Sequence, residues 1–186
     1  TDSATTDYDI GDTGPAGGLI FFDDEDNDDD DYSFRYLEAA PASTEWDYVE
    51  WAGAYIDING DNFTATPELE GIGDGQANTT AIVNALENNG GTGYYAAKLA
   101  DDLVHESYSD WFLPSKNELE LMYQNLHEDG LGGFAADHYW SSTEIDSSGA
   151  WYQDFRVGIL SDIDFKDRIK DGPTPFRVRA ARAFGN

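Results

Sequence analysis

Asp57, Asn59, Asp61 and Glu68 stand at positions 1, 3, 5 and 12 of one stretch of chain. That is the spacing by which a loop wraps a hard cation demanding about six to eight oxygens, so the ion it would hold is calcium. Three features depart from the pattern: Asn62 replaces the turn glycine, Pro67 adjoins the last ligand, and no helix signal flanks the loop. A plain Asx-turn loop remains the competing reading. The run Asp23–Asp31 carries eight carboxylates in nine residues; it is a solvated hairpin tip or a second place for cations. His105, His127 and His138 show neither HxH nor HExxH spacing and read as ordinary surface or helix-end histidines. No GxSxG elbow occurs, and no phosphate-loop pattern follows Gly90-Gly91 or Gly132-Gly133. Cysteine is absent, which removes thiolate chemistry and disulfides. The expectation is a non-enzymatic protein that requires no cofactor, with calcium the one ion the spacing admits.

A second kind of chemistry lies between Glu144 and Asp171. There Ile159-Leu-Ser-Asp-Ile-Asp-Phe-Lys-Asp-Arg-Ile-Lys170 mixes apolar, acidic and basic side chains without a clean period. Such a mixture fits an irregular surface loop over a sheet. It equally fits a recognition surface with apolar, cationic and anionic contacts side by side. The residues that would form such a surface are Ile145, Asp146, Tyr152, Asp154, Arg156, Val157, Ile159, Asp162, Ile163, Asp164, Phe165, Asp167 and Arg168. Aromatic, apolar and arginine members would supply affinity, and the Asp/Arg mixture specificity.

Charge narrows the partners. Thirty-eight acids against ten bases give −28 over 186 residues, a surface that repels nucleic acid and anionic lipid. The charge is uneven: residues 150–186 hold seven bases and five acids, a net of +2, against −30 for the remainder. The C-terminal fifth therefore reads as a different surface. No apolar run approaches the about 18 residues that span a bilayer, and the first residues show neither a basic end nor an apolar stretch. Membrane insertion is not expected, and the visible start carries no leader signal. With 5 Trp, 11 Tyr and 10 Phe the chain has the apolar bulk to bury a core.

The elements that must position these residues follow from periodicity. Residues 1–9 read as a polar tail and 10–186 as one domain. Gly11–Gly18 is a Gly/Pro loop entering a strand at Leu19–Phe22, with Tyr32–Leu37 as its alternating partner. Residues 38–75 are loop-rich, with Trp46 and Trp51 as anchors. Helices are expected from Asn78 or Thr79 to Asn88 and from Tyr94 to Val104. A third begins at Ser115, where Ser115 and Glu118 form a capping box ahead of Leu119, Met122, Tyr123 and Leu126. Strands follow at 139–144 and 150–157, another near 159–166, and a closing strand at 176–184. Strands, then helices, then strands give an α+β class, with a small mixed or antiparallel sheet joining the termini and two to three helices.

Several strings occur together in a familiar order: Ile10–Asp23, Tyr36-Leu-Glu-Ala-Ala-Pro41, Gly73-Asp-Gly-Gln-Ala-Asn-Thr79, Asp110-Trp-Phe-Leu-Pro-Ser115, Tyr139-Trp-Ser-Ser142, Ala150-Trp151 with Phe155, and Arg177–Phe184. Over about residues 8–184 the chain resembles the C-terminal domains of bacterial collagen-like adhesins. It is also similar to the variable proteins of diversity-generating retroelements. The resemblance implies a C-type-lectin-like fold of the formylglycine-generating-enzyme subtype, with a ligand-binding face built from C-terminal strands and loops. It implies a receptor or adhesin-type protein, secreted or displayed on a cellular or viral surface, whose ligand is a protein or surface glycan. In diversified members the residues of the 144–171 stretch would be the rewritten ones; the alternative is an invariant cell-surface adhesin module, calcium-stabilised or not. The EPN, QPD and WND strings of calcium-dependent sugar binding are missing, as are the cysteines of the formylglycine-generating enzymes. Neither activity carries over.

Overall fold

The computed structural model describes residues 7–25, 32–52, 70–88, 93–145, 149–165 and 176–185. It is a mixed α+β structure with two sheets and three helices. The first sheet joins the two ends of the chain. In it β1 (Leu19–Asp23), β2 (Tyr36–Ala39) and β7 (Ala181–Phe184) lie in the order β1-β2-β7, all antiparallel. The second sheet has the order β5-β4-β3-β6, from β3 (His138–Glu144), β4 (Gly149–Asp154), β5 (Ile159–Phe165) and β6 (Phe176–Arg177). Its pairs are antiparallel except β3 with β6.

The single closing strand expected at 176–184 is thus two strands in two sheets. The chain leaves the larger sheet at Val178, which exchanges backbone hydrogen bonds of 3.0 and 3.2 Å with Trp46. It joins the smaller one at Ala181, whose amide and carbonyl pair with Phe112 at 2.8 and 2.9 Å. The Phe176, Val178, Ala180 alternation continues through the crossing because all three are buried on the way. It marks burial and carries no information about which sheet each residue joins.

The helices sit where apolar periodicity puts them, with altered ends. Helix α1 (Gly75–Asn88) buries Asn78, Thr79, Ile82, Val83 and Leu86 along one stripe. It begins ahead of the expected start because its first turn is Gly75-Gln-Ala, which offers no apolar period. A Cβ at Gly75 would lie 2.3 Å from Glu118 Oε2 and 2.8 Å from the Phe112 ring, so the helix enters through a gap only glycine fits. Helix α2 (Ala96–Asp101) is shorter than expected. Tyr95 is extended and bridges Glu50, and the Ala96 amide donates to the Glu50 carbonyl at 2.9 Å. Helix α3 (Lys116–Met122) has the predicted capping box: Ser115 accepts from the Glu118 amide, and Glu118 accepts from the Ser115 amide at 2.7 Å. It continues through Tyr123–His127 in a wider winding, with the Glu128 amide on the Tyr123 carbonyl at 3.0 Å.

Two apolar cores result. One gathers Trp51, Ile82, Leu86, Trp140, Phe176 and Val178 beneath α1 and α2. The other gathers Phe21, Leu37, Leu119, Met122, Tyr139 and Phe155 around α3, which lies between the two sheets. Trp46 and Trp51 are anchors as expected: the Trp51 indole donates to the Ser141 carbonyl at 2.7 Å, and Trp140 returns the contact to the Val49 carbonyl at 2.9 Å. The two indoles pin the 46–52 loop to β3.

Candidate ligand-binding face

The face starts from strand register. His138 lies opposite Asp154, and Trp140 opposite Tyr152, so these four side chains share one face of the larger sheet. Phe176 on β6 joins them opposite His138. Trp140 stacks on Phe176 with ring centres 4.2 Å apart, His138 stacks on its neighbouring side at 5.0 Å, and Tyr152 stands edge-on to Phe176 at 5.2 Å. Helix α1 covers the Ser142 end of the face, where the Asn78 amide reaches Ser142 Oγ at 3.2 Å. The His138 end is left to the tip of the β4–β5 hairpin.

At that tip the chain turns through Phe155–Gly158, with Arg156 and Val157 exposed. Arg156 folds back over the strand: its Nε and Nη2 donate to the two Asp154 oxygens at 2.9 and 2.7 Å, and Nη2 lies 2.7 Å from His138 Nε2. The Arg156 backbone amide also donates to Asp154, at 2.9 Å. These bonds from Arg156, with the nearby His138, hold the Asp154 carboxyl below its ordinary range against the opposing effect of burial. The group therefore presents a fixed guanidinium, a half-buried tyrosine and an exposed valine over an aromatic floor. Such a surface can grip a ligand by apolar contact and charge-assisted hydrogen bonds. It assembles no nucleophile with a base.

The structure brings together Tyr152, Asp154, Arg156 and Val157 of the expected face. Asp154 is nearly buried, so its influence on a ligand passes through Arg156. Ile145 is half-buried at the far end of the strand pair, where its amide closes the β3–β4 turn on the Gly149 carbonyl. Ile159, Asp162, Ile163, Asp164 and Phe165 fall on β5, whose backbone alone is described, at the outer position of the sheet. Asp146, Asp167 and Arg168 lie outside the described residues, as do Asp57, Asn59, Asp61 and Glu68 of the calcium loop and most of the Asp23–Asp31 run. Among the described residues no group of three His, Asp or Glu is arranged to hold a metal ion.

Two sequence readings change. His138 is not a surface histidine: it is 7% exposed, on a strand, in the floor of the face. Its place immediately before the Tyr139-Trp140 pair was the available signal, and the strand it opens is buried along its whole length. In the +2 C-terminal fifth, three of the described arginines turn inward rather than forming a basic surface. Arg177 pairs with Glu45 and Asp137 at 2.9 and 3.0 Å, Arg179 with Glu45, and Arg182 with Asp110 and Glu38 at 2.6 and 2.9 Å. These arginines neutralise acids inside the protein.

No family model matches the chain, and no curated protein matches it. Among solved structures it is similar to a fimbrial protein from Bacteroides ovatus, at 11% identity and a TM-score of 0.54. The likeness covers 81% of this chain and 36% of that protein, so the chain spans little more than a third of its structural neighbour's length. No helix of the described residues is long and apolar enough to cross a membrane.

Proposed function

We propose that the chain is a non-enzymatic ligand-binding module of a surface-displayed, adhesin-type protein, and that it holds its ligand at the Tyr152–Arg156–Val157 end of the larger sheet. The single observation behind this is the pairing of an aromatic floor with an exposed, hydrogen-bonded Arg156 at the turn between β4 and β5. The likeness to a fimbrial protein supports surface display. The ordered strings of the sequence support a C-type-lectin-like subtype of this α+β fold. The ligand is a protein or a surface glycan. The test is binding of the labelled chain to arrays of cell-surface proteins and glycans, beside Tyr152→Ala and Arg156→Glu. Loss of the wild-type signal in both variants, at unchanged melting midpoint, supports the reading. Equal binding by all three proteins refutes it.

An invariant adhesin module has the better support, because the fimbrial likeness bears on display and not on diversification. A diversified face is a second reading, favoured by one placement: β5, which carries five of the candidate residues, is the outermost of the described strands of its sheet. An outer strand exchanges side chains at little cost to the interior. Sequencing many copies of the gene from one natural population separates the two. Substitutions concentrated within 144–171 support diversification, and an even scatter along the chain refutes it. Calcium would act as a structural ion in either case; a melting midpoint unchanged by chelator removes it.

A further inference from the structure

A cavity of about 370 Å³ lies against the core beneath α1 and α2, walled by Trp46, Tyr94, Lys98, Asp102, Leu103 and Val104. None of these belongs to the face described above. Tyr94 is 85% and Val104 68% exposed, and neither belongs to a core cluster. Two large apolar side chains standing in water beside a concavity are a feature that folding alone does not require. The Trp46 ring packs on the core, and its backbone is held by both bonds to Val178, so this wall is fixed before any ligand arrives. Lys98 Nζ meets Asp102 Oδ1 at 2.5 Å and Glu87 Oε1 at 3.7 Å. A donor and an acceptor are thereby set side by side against aromatic walls.

We propose that this cavity is a binding subsite for one neutral pyranose residue of a glycan. Charge and shape select that occupant. An anion would meet a protein of −28 and a wall in which Lys98, the cation among the described lining residues, is already engaged by Asp102 and Glu87. A cation would meet the Lys98 ammonium in the wall. A wholly apolar group would bury the Lys98–Asp102 pair without replacing the water bound to it. A pyranose has an apolar C–H face to lie on Tyr94 or Trp46. Its rim of hydroxyls, each both donor and acceptor, matches the remaining protons of Lys98 and lone pairs of Asp102. The volume falls in the lower part of the roughly 300–1,000 Å³ usual for small-ligand sites. The subsite stands independently of the Arg156 face.

The test is NMR titration of the whole chain with methyl glycosides of glucose, galactose, mannose and N-acetylglucosamine, following the Trp46 and Tyr94 ring signals. At least one glycoside is expected to shift both, saturably, in the millimolar range. Tyr94→Ala should weaken it by about tenfold or more. Lys98→Met serves as the second variant, and Tyr152→Ala and Arg156→Glu should leave it unchanged. The proposal is overturned if no glycoside moves these signals, or if Tyr94→Ala and Lys98→Met bind as the wild type does. It is equally overturned if a sialylated or sulfated sugar binds more tightly than every neutral one. Saturation by p-cresol or indole without competition from glycosides would assign the cavity to an apolar side chain instead.

Discussion

Replacing Arg179 and Arg156 by methionine, one at a time, separates the fixed part of the protein from the exchangeable part. Both are arginines bonded to a carboxylate, and they differ in surroundings. Arg179 is 1% exposed. Its Nε and Nη2 donate to Glu45 Oε2 at 3.1 and 2.5 Å, its Nη1 to the carbonyls of Ala40 and Gly132 at 3.1 and 2.9 Å, and its guanidinium lies 4.2 Å from the Phe134 ring centre. Removing one partner of a buried pair costs about 3–5 kcal/mol. Glu45 keeps Arg177 at 2.9 Å and the Tyr139 hydroxyl at 2.8 Å, which places Arg179→Met near the lower end, about 3 kcal/mol. At about 2–4 °C per kcal/mol for a chain of this size, the melting midpoint should fall by about 6–12 °C. The Arg156 side chain is 42% exposed, and Asp154 retains the backbone amide of position 156 after substitution. Its midpoint should stay within the scatter of repeat melts. Calorimetry at pH 7 in low and high salt is the assay, since salt screens the exposed pair and leaves the buried one. A fall in Arg156→Met matching that in Arg179→Met would refute the division between a fixed floor and a replaceable face.

Two further outcomes follow from the helix entry points. Burial raises the Glu118 carboxyl from 4.5 to about 7, against the opposing amides of Ser115 and Gly73. The unfolded chain ionises near 4.5 while the folded one keeps its proton, so this group's stabilisation is complete below 4.5 and is lost as pH rises to about 7, on the order of 3 kcal/mol. Glu118→Gln should abolish that component; a stability difference between variant and wild type that stays constant from pH 4.5 to 8 would show the assignment wrong. Gly75→Ala should destabilise by about 1–3 kcal/mol through overpacking against Phe112 and Glu118, despite alanine's better helix propensity, and denaturant melts showing a gain would contradict the packing.

Local signals were legible in the sequence where residues a few positions apart decide the outcome. Ser115 and Glu118 announce their helix because a cap needs two side chains at fixed spacing, whatever surrounds them. The stripe of Ile82, Val83 and Leu86 is read as easily, since one face of a helix must be apolar. What escaped is what depends on a distant partner. Gly75 begins α1 because of Glu118, more than forty positions on. His138 is buried because Phe176, brought alongside by β6, offers a ring to stack on. The strand expected near 159–166 is present as β5, but its alternation is unreadable because its register against β4 shifts between Ala150 and Tyr152, and one extra residue there destroys a period of two. Of the candidate face, Tyr152 was legible through its strand, whereas Arg156 and Val157, expected in the same strand over 150–157, stand in the turn that follows its end at Asp154. The role of Asp154 as their support was not legible, since burial of an acid is invisible until its cation is placed.

The inward turn of Arg177, Arg179 and Arg182 also decides what kind of partner this chain can hold. Each neutralises one or two of the 38 acids, chiefly where two segments distant in sequence meet. Bases that join the C-terminal strand to the rest of the protein are not available to a polyanion at its surface. At the described ligand face the cation is Arg156, already shared with Asp154 and His138. A sulfated polysaccharide would have to displace those bonds while approaching a strongly negative body, and its affinity would depend on salt to suppress that repulsion. A neutral glycan or a basic protein surface meets no such barrier. Salt should therefore strengthen binding of an anionic ligand, leave a neutral one unaffected and weaken a basic one. The slope of affinity against ionic strength thus assigns the ligand's charge before the ligand itself is known.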